Sequence, residues 1–503
     1  MKISKTYRNI IINIILQIVA TISGLILPRL IIAAYGSTLN GLISSIGQFL
    51  TYASLVEMGI GSAAMITLYI PLCNCDYKSM SKILSSISKK YRTSGIIYTI
   101  IVCGIALIYP LMIQGQVNYS YAFSMTIILA MIGIIDYLFI GKYKVLLMAD
   151  QKYYIVNFVK IIATCILTIV SILLLKYKVS LLIVKGFAVF VHALEAVMIR
   201  KYVQEKYPEI NFNENVSMRF SQQKSVLIQQ ICMVITYNTD IIILTIMLPS
   251  NSLKEISVYS IYAMVLSFAK NFMSVFYVGL GATFGNIYAC NDIKNLKKKF
   301  KQYELVYDIF LFFVYSCFIA LILPFIKCYA GGIADANYVR IEIAVLFGVI
   351  GIVAQIKDSH STLVHGGCGK YKETEKYSVY EAVSNILVSI VLVNKLGMAG
   401  VLLGTLTSHL FMDYGVIKCT YKEIFPETAS TTLIRITRNV ILFFILGGIE
   451  IKMTLMIDTW VEWIIAAISI AIFNGLAVLG INFLFEKKEI SGIFQRKCKQ
   501  SKG

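Results

Sequence analysis

Apolar residues run along this chain in stretches of about 20 or more, separated by short polar segments, at lengths that match a hydrocarbon core ~30 Å thick crossed at 1.5 Å per residue. The opening MKISKTYRNIIINIILQIVATISGLILPRL sets the pattern. Its basic front precedes an apolar run too long for a signal peptide, with no A-x-A-like cleavage site, and reads as a retained first membrane helix. The same reading places spans at 9–34, 41–71, 92–113, 121–141, 153–175, 180–200, 224–248, 257–288, 303–325, 341–366, 377–394, 398–418, 434–455 and 461–485, about 14 in all. The expected fold class is all-α, a polytopic membrane protein.

Composition agrees. Of the 503 residues 58% are hydrophobic and 15% charged, with mean hydropathy +0.75, against roughly 25% charged in an ordinary globular chain. A net charge of +19 raises nucleic acid as a partner, which needs clustered cations on an accessible face. The distribution points elsewhere: roughly 34 of the 46 Lys and Arg fall in loops on one side of the spans and about 8 on the other. That asymmetry places both termini in the cytoplasm, leaves basic loops such as DYKSMSKILSSISKKYR against anionic lipid, and makes nucleic acid no expected partner. External connections of at most about fifteen residues leave no room for a soluble catalytic domain. The eleven cysteines suggest neither a disulfide framework nor a zinc site. The histidines form no H-E-x-x-H pattern and no Walker loop occurs, so neither a catalytic metal nor an on-chain ATP motor is expected.

A weak internal repeat follows from ADQKYYIVNFVKIIATCILTIVSILLL and GKYKETEKYSVYEAVSNILVSIVLV, which both run from a Lys- and Tyr-rich loop into a span. Two parallel six-helix bundles would produce it, and transporters so built bind substrate at the repeat interface. The domains expected are an N-lobe at 1–200, a linker at 201–223, a C-lobe at 224–418, two further helices at 419–485 and a basic cytoplasmic tail at 486–503.

Ionisable residues within spans are costly and mark function by default. Lys185, Glu195, Glu381 and Asp413 lie near predicted span ends and are expected to reach headgroup water. Asp136 and Lys160 sit toward the cytoplasmic ends of neighbouring spans and could pair. Arg29, Lys160, Lys270 and Lys357, from four spans and both halves, suit an anionic substrate such as a phosphate. Glu57, Asp240 and Asp358 are candidates to hold those cations charged or to take up a coupling H+ or Na+. Lys357 and Asp358 stand about 100° apart on one helix. Lys357 is expected to face the substrate path, with Asp358, Thr362 and His365 on a helix contact or ion path.

LVEMGIGSAAMITLYIPL, LLMADQKYYIVN, QICMVITYNTDIIIL, VYSIYAMV and GKYKETEKYS, spread over the whole chain, resemble bacterial polysaccharide exporters, the O-antigen and capsule flippases. These belong to the multidrug/oligosaccharidyl-lipid/polysaccharide exporter superfamily. The resemblance implies two six-helix lobes plus a final helix pair, no enzymatic activity, and passage of undecaprenyl-pyrophosphate-linked oligosaccharide across the cytoplasmic membrane. Membrane lipids, a polysaccharide polymerase and a chain-length regulator are the further partners it implies. A lipid II flippase and a cation-coupled multidrug exporter are alternatives within the superfamily. The multidrug reading is opposed by Arg29, a cation where such exporters use cavity acids. A membrane-embedded polymerase or acyltransferase is the alternative from another class, and should carry a large external loop or clustered His and Arg.

Overall fold

The computed structural model describes residues 5–57, 60–212, 214, 224–248, 250–277 and 280–500. Part of the expected linker, 213 and 215–223, and the last three residues of the expected tail lie outside the described residues. Among those described there is no strand, and the chain is all-helical. In order come α1 (Lys5–Tyr35), α2 (Ser37–Ala53), α3 (Ile60–Cys73), α4 (Tyr77–Met112), α5 (Tyr119–Ile135), α6 (Gly141–Ala149), α7 (Tyr153–Lys176), α8 (Leu181–Lys206) and α9 (Lys224–Met247). They are followed by α10 (Ser252–Ser274), α11 (Leu280–Ala289), α12 (Ile293–Tyr329), α13 (Ile341–Ser361), α14 (Tyr371–Leu396), α15 (Met398–Lys418), α16 (Ser430–Thr454) and α17 (Trp460–Gln500).

Eleven helices among the described residues are long and apolar enough to cross a membrane, counting α5 and α6 as one and leaving α2, α3, α11, α13 and α15 outside the set. Ile10, Ile14, Ile18 and Ile22 on α1, and Ile464, Ile468 and Ile472 on α17, are exposed at i, i+4 spacing. Stripes of that kind have lipid as their solvent, and the protein is a multi-pass membrane protein. Two expected spans are broken. The 41–71 span divides at a 3₁₀ turn, Ser54–Glu57, and the 257–288 span ends α10 at Ser274. At both places a serine hydroxyl donates to a carbonyl three residues back, Ser54 to Thr51 at 2.6 Å and Ser274 to Asn271 at 2.7 Å, competing with the helical ladder.

The chain forms two compact units, residues 1–257 and 258–503. In the first, Leu84, Ile87 and Tyr91 of α4 pack with Ile140, Leu146 of α6 and Ile199 of α8. In the second, Leu296 and Phe300 of α12 pack with Leu363, Val364 and Phe425. Left-handed turn residues recur along the chain as Cys75 and Asn291, Gly115 and Gly332, Gln151 and Gly369, and Lys178 and Gly397, each pair 216 to 219 positions apart. Cys75 and Asn291 precede matching caps: Asp76 accepts the Ser79 N–H at 3.0 Å to start α4, and Asp292 accepts the Asn295 N–H at 3.1 Å to start α12. The repeat that is faint in side chains is therefore plain in the backbone. It is carried by turns and caps, where stereochemistry restricts the residue more than lipid does.

In the second unit α14 and α15 form a close hairpin about Gly397. A Cβ on Gly404 would stand 2.1 Å from Ser389 Oγ and 2.8 Å from its backbone nitrogen. Asn385 Nδ2 donates to Thr405 Oγ1 at 3.0 Å across the same contact. Small residues and one hydrogen bond bring helices together where lipid supplies no hydrophobic drive.

Candidate functional site

Helices α13, α14 and α15 enclose an ionic group. Lys357 Nζ donates to Glu381 Oε1 at 2.7 Å and lies 3.2 Å from His409 Nδ1, which is itself 2.6 Å from the same carboxylate oxygen. Lys357 is 7% exposed, Glu381 4% and His409 0%. The site is built from i, i+4 geometry: Glu381 and Asn385 share a face of α14, and Thr405, His409 and Asp413 share a face of α15. Asp413 is buried on that face and feels the charges of Lys357, Glu381 and Asp358. Asp358, partly exposed, accepts from Gln355 Nε2 at 3.1 Å, and Gln355 in turn accepts from the Tyr307 hydroxyl at 2.8 Å. Lys270, on α10, is close enough for its charge to act on both Asp358 and His409. Such a group can hold, pass or release a proton, because it has three carboxylates, a lysine and an imidazole in mutual electrostatic contact.

A second buried group ties α12, α13, α16 and α17. Arg435 Nη1 lies 3.3 Å from Glu304 and 3.2 Å from Asp308, while its Nη2 lies 2.9 Å from Glu486. Arg438 adds a 3.0 Å contact to Glu486, and His360 Nε2 is 3.3 Å from Glu304. Thr432 and Tyr421 donate to Glu304 at 2.8 and 3.0 Å. The backbone of α17 leaves helical geometry at Glu486, where its carboxylate turns to the two arginines.

The first unit carries its own cluster. Asp136 opens a π-helical turn, Asp136–Ile140, and meets Lys144 at 2.6 Å and His192 at 3.3 Å. His192 also contacts Glu195 at 3.2 Å. Glu57 lies beside the Tyr91 and Tyr137 hydroxyls, and the charges of Asp136 and Lys144 reach it.

Set against known proteins, the chain matches no protein-family model and no curated protein. Solved structures do match. A lipid II flippase in an inward closed conformation is similar at TM-score 0.62 and 17% identity, over 94% of this chain and 99% of that one. A multidrug resistance transporter in an inward-facing conformation is similar at TM-score 0.58 and 11% identity, over 80% of this chain and 94% of that one. An outward-facing structure of such a transporter gives 0.56 and 13%, over 84% and 95%. The chain shares its fold with these transporters.

Of the residues singled out from sequence, the fold brings Lys270, Lys357 and Asp358 together, while Arg29, Glu57, Lys160 and Asp240 lie on separate elements of the first unit. Arg29 follows Pro28 inside α1 and is half-buried, Lys160 is exposed on α7, and Asp240 is buried on α9 beside the Tyr52–Thr239 hydrogen bond. Asp136 pairs with Lys144 and His192 rather than with Lys160, because Lys144 follows by eight residues across the π turn and returns to the same side. Lys357 turns to Glu381 and His409, and its neighbour Asp358 is the more exposed of the two. Glu381 and Asp413 are buried instead of interfacial: α14, Tyr371–Leu396, begins more than a turn before its predicted span, and α15, which matches its predicted limits, runs on as a π-helical turn, Cys419–Ile424. The Glu304, Asp308, Arg435 and Glu486 group escaped the reading altogether. Its signal is Glu304 and Asp308 at i, i+4 beside Arg435 and Arg438 at i, i+3.

Proposed function

We propose that the protein is a flippase that carries undecaprenyl-pyrophosphate-linked oligosaccharide across the bacterial cytoplasmic membrane by alternating access, serving O-antigen, capsule or other surface polysaccharide assembly. The supporting observation is one of coverage. The 6% of this chain outside the lipid II flippase match is fewer residues than the 41 of α17 alone, so at least part of α16 and α17 has a counterpart there. The 20% outside the inward-facing multidrug transporter match is large enough to hold both helices. The chain thus shares more of its length with the lipid II flippase than with the inward-facing multidrug transporter. Arg29 and Lys160 in the first unit, with Lys270 and Lys357 in the second, are the cations proposed to meet the pyrophosphate. The buried acids and His409 are the groups proposed to couple transport to H+ or Na+.

The same likeness favours a second reading, lipid II as the cargo. Complementation separates the two. Expression in a strain lacking its O-antigen or capsule flippase should restore surface polysaccharide, whereas expression in a strain depleted of its lipid II flippase should not restore growth; the opposite pair of results would replace the first reading by the second. In the strain that responds, Arg29→Ala and Lys270→Ala should each lower export on the order of tenfold at equal protein level, the scale of one charge-assisted phosphate contact. Full export by both variants would remove the anion-binding role.

A further inference from the structure

At one end of the first unit, α6, α8 and the 207–212 segment line a cavity of about 540 Å³, to which no residue of the ionic groups described above contributes. Two cations line it, Lys142 and Arg200, and no carboxylate does. Arg200 is near enough for its charge to bear on both Lys142 and Tyr143. Like charges brought together at a cavity wall repel one another, and three acids of the neighbouring helices are held by other cations: Asp136 by Lys144, Asp150 by Lys152 and Glu205 by Lys201. Among the described residues, the cavity wall thus holds two cations and no carboxylate.

The Lys142 ammonium is fixed in position. It donates to Ser88 Oγ at 3.2 Å and stands 5.3 Å from the Tyr143 ring and 5.4 Å from the Phe212 ring. Those rings meet edge to face at 5.1 Å. The wall behind them is tied down as well, since Ser85 Oγ donates to the Asn211 carbonyl at 3.0 Å and the Asn211 N–H donates to Ser81 Oγ at 2.9 Å. A preformed cationic hollow binds an anion without the cost of ordering it first.

The geometry points to a site for the phosphate of an anionic lipid headgroup, held between Lys142 and Arg200 above the Tyr143 and Phe212 rings. The rim decides between a lipid and a free anion. Phe139 lines the cavity and is 53% exposed on α5's continuation into α6, giving an acyl chain an apolar surface beside the phosphate. The loop charges assign this end of the unit to the cytoplasmic leaflet, where basic pockets between helices meet anionic headgroups. The site is independent of the cargo proposed above.

The test uses the full chain purified in detergent and titrated with dioctanoyl phosphatidylglycerol, dioctanoyl phosphatidylcholine or inorganic phosphate, read by native mass spectrometry and thermal shift. Phosphatidylglycerol should bind, and Lys142→Gln and Arg200→Gln should each weaken it on the order of 5-fold, while Lys201→Gln, one residue along on α8, leaves it unchanged. Because Arg200 is exposed, its variant folds whether or not Lys142→Gln does, and it carries the test alone if need be. Inorganic phosphate binding with the same dependence on both cations, and no gain from the lipid, would assign the site to a free phosphate. Equal binding of phosphatidylcholine, or variants that bind phosphatidylglycerol as tightly as the unaltered chain, would overturn the proposal.

Discussion

Lys357 of α13 reaches Glu381 of α14 at 2.7 Å, and both are closed off from solvent. Breaking a buried pair by removing one partner leaves the other as an uncompensated charge and costs about 3–5 kcal/mol, whereas removing both in favour of similar volume is close to neutral. Lys357→Met and Glu381→Met should each lower the melting temperature sharply, and the double variant should recover most of the loss. If the pair serves coupling as well as packing, the recovered double variant still fails in export. Restored stability together with restored export would reduce the pair to a structural tie.

Arg435 satisfies Glu304, Asp308 and Glu486 at once. A lysine offers one point charge where the guanidinium presents a planar fork, so Arg435→Lys cannot reach all three. Arg435→Ala should abolish accumulation of folded protein, and Arg435→Lys should leave a folded but less stable one. Limited proteolysis between α16 and α17 provides the readout, with earlier cleavage expected in the lysine variant.

Two glycines in the second unit test the hairpin packing. Gly404→Ala drives a methyl group into the Ser389 backbone and should cost about 1–3 kcal/mol by overpacking. Gly448→Ala meets nothing within 4 Å and should be neutral or stabilising by about 0.5–1 kcal/mol. Thermal unfolding of the two variants should therefore shift in opposite directions. Because Asn385–Thr405 and Glu381–His409 span the same contact, Gly404→Ala should also depress export beyond its effect on protein level.

Outside the spans, Lys297 and Lys301 of α12 bond to Glu427 and hold its carboxyl below its ordinary value of 4.5. A carboxylate lowered in the folded state stabilises above that ordinary value, and the contribution is lost as pH falls through the lowered one. The melting temperature of the unaltered chain should therefore exceed that of Glu427→Gln at neutral pH, with the difference closing as acid protonates Glu427. A difference that persists at low pH would assign it to packing.

An all-helical membrane protein, a weak internal repeat and ionisable residues within spans that need a reason were all legible in the sequence, whereas the matching turns and the Asp76 and Asp292 caps of the repeat emerged from the backbone. Length and apolarity are local properties, readable without knowing neighbours. Which helix faces look at protein and which at lipid came from helix packing, because in a bilayer both can be equally apolar and the one-sided stripe that betrays a soluble core is missing. That is why Glu381 and Asp413 read as interfacial and proved buried, and why the pairing of Lys357 with Glu381, 24 positions away, was not legible in the sequence. Arg435 shows the same limit from the other side: three acids on two other helices converge on it through helix packing alone, and nothing in its own sequence neighbourhood names them.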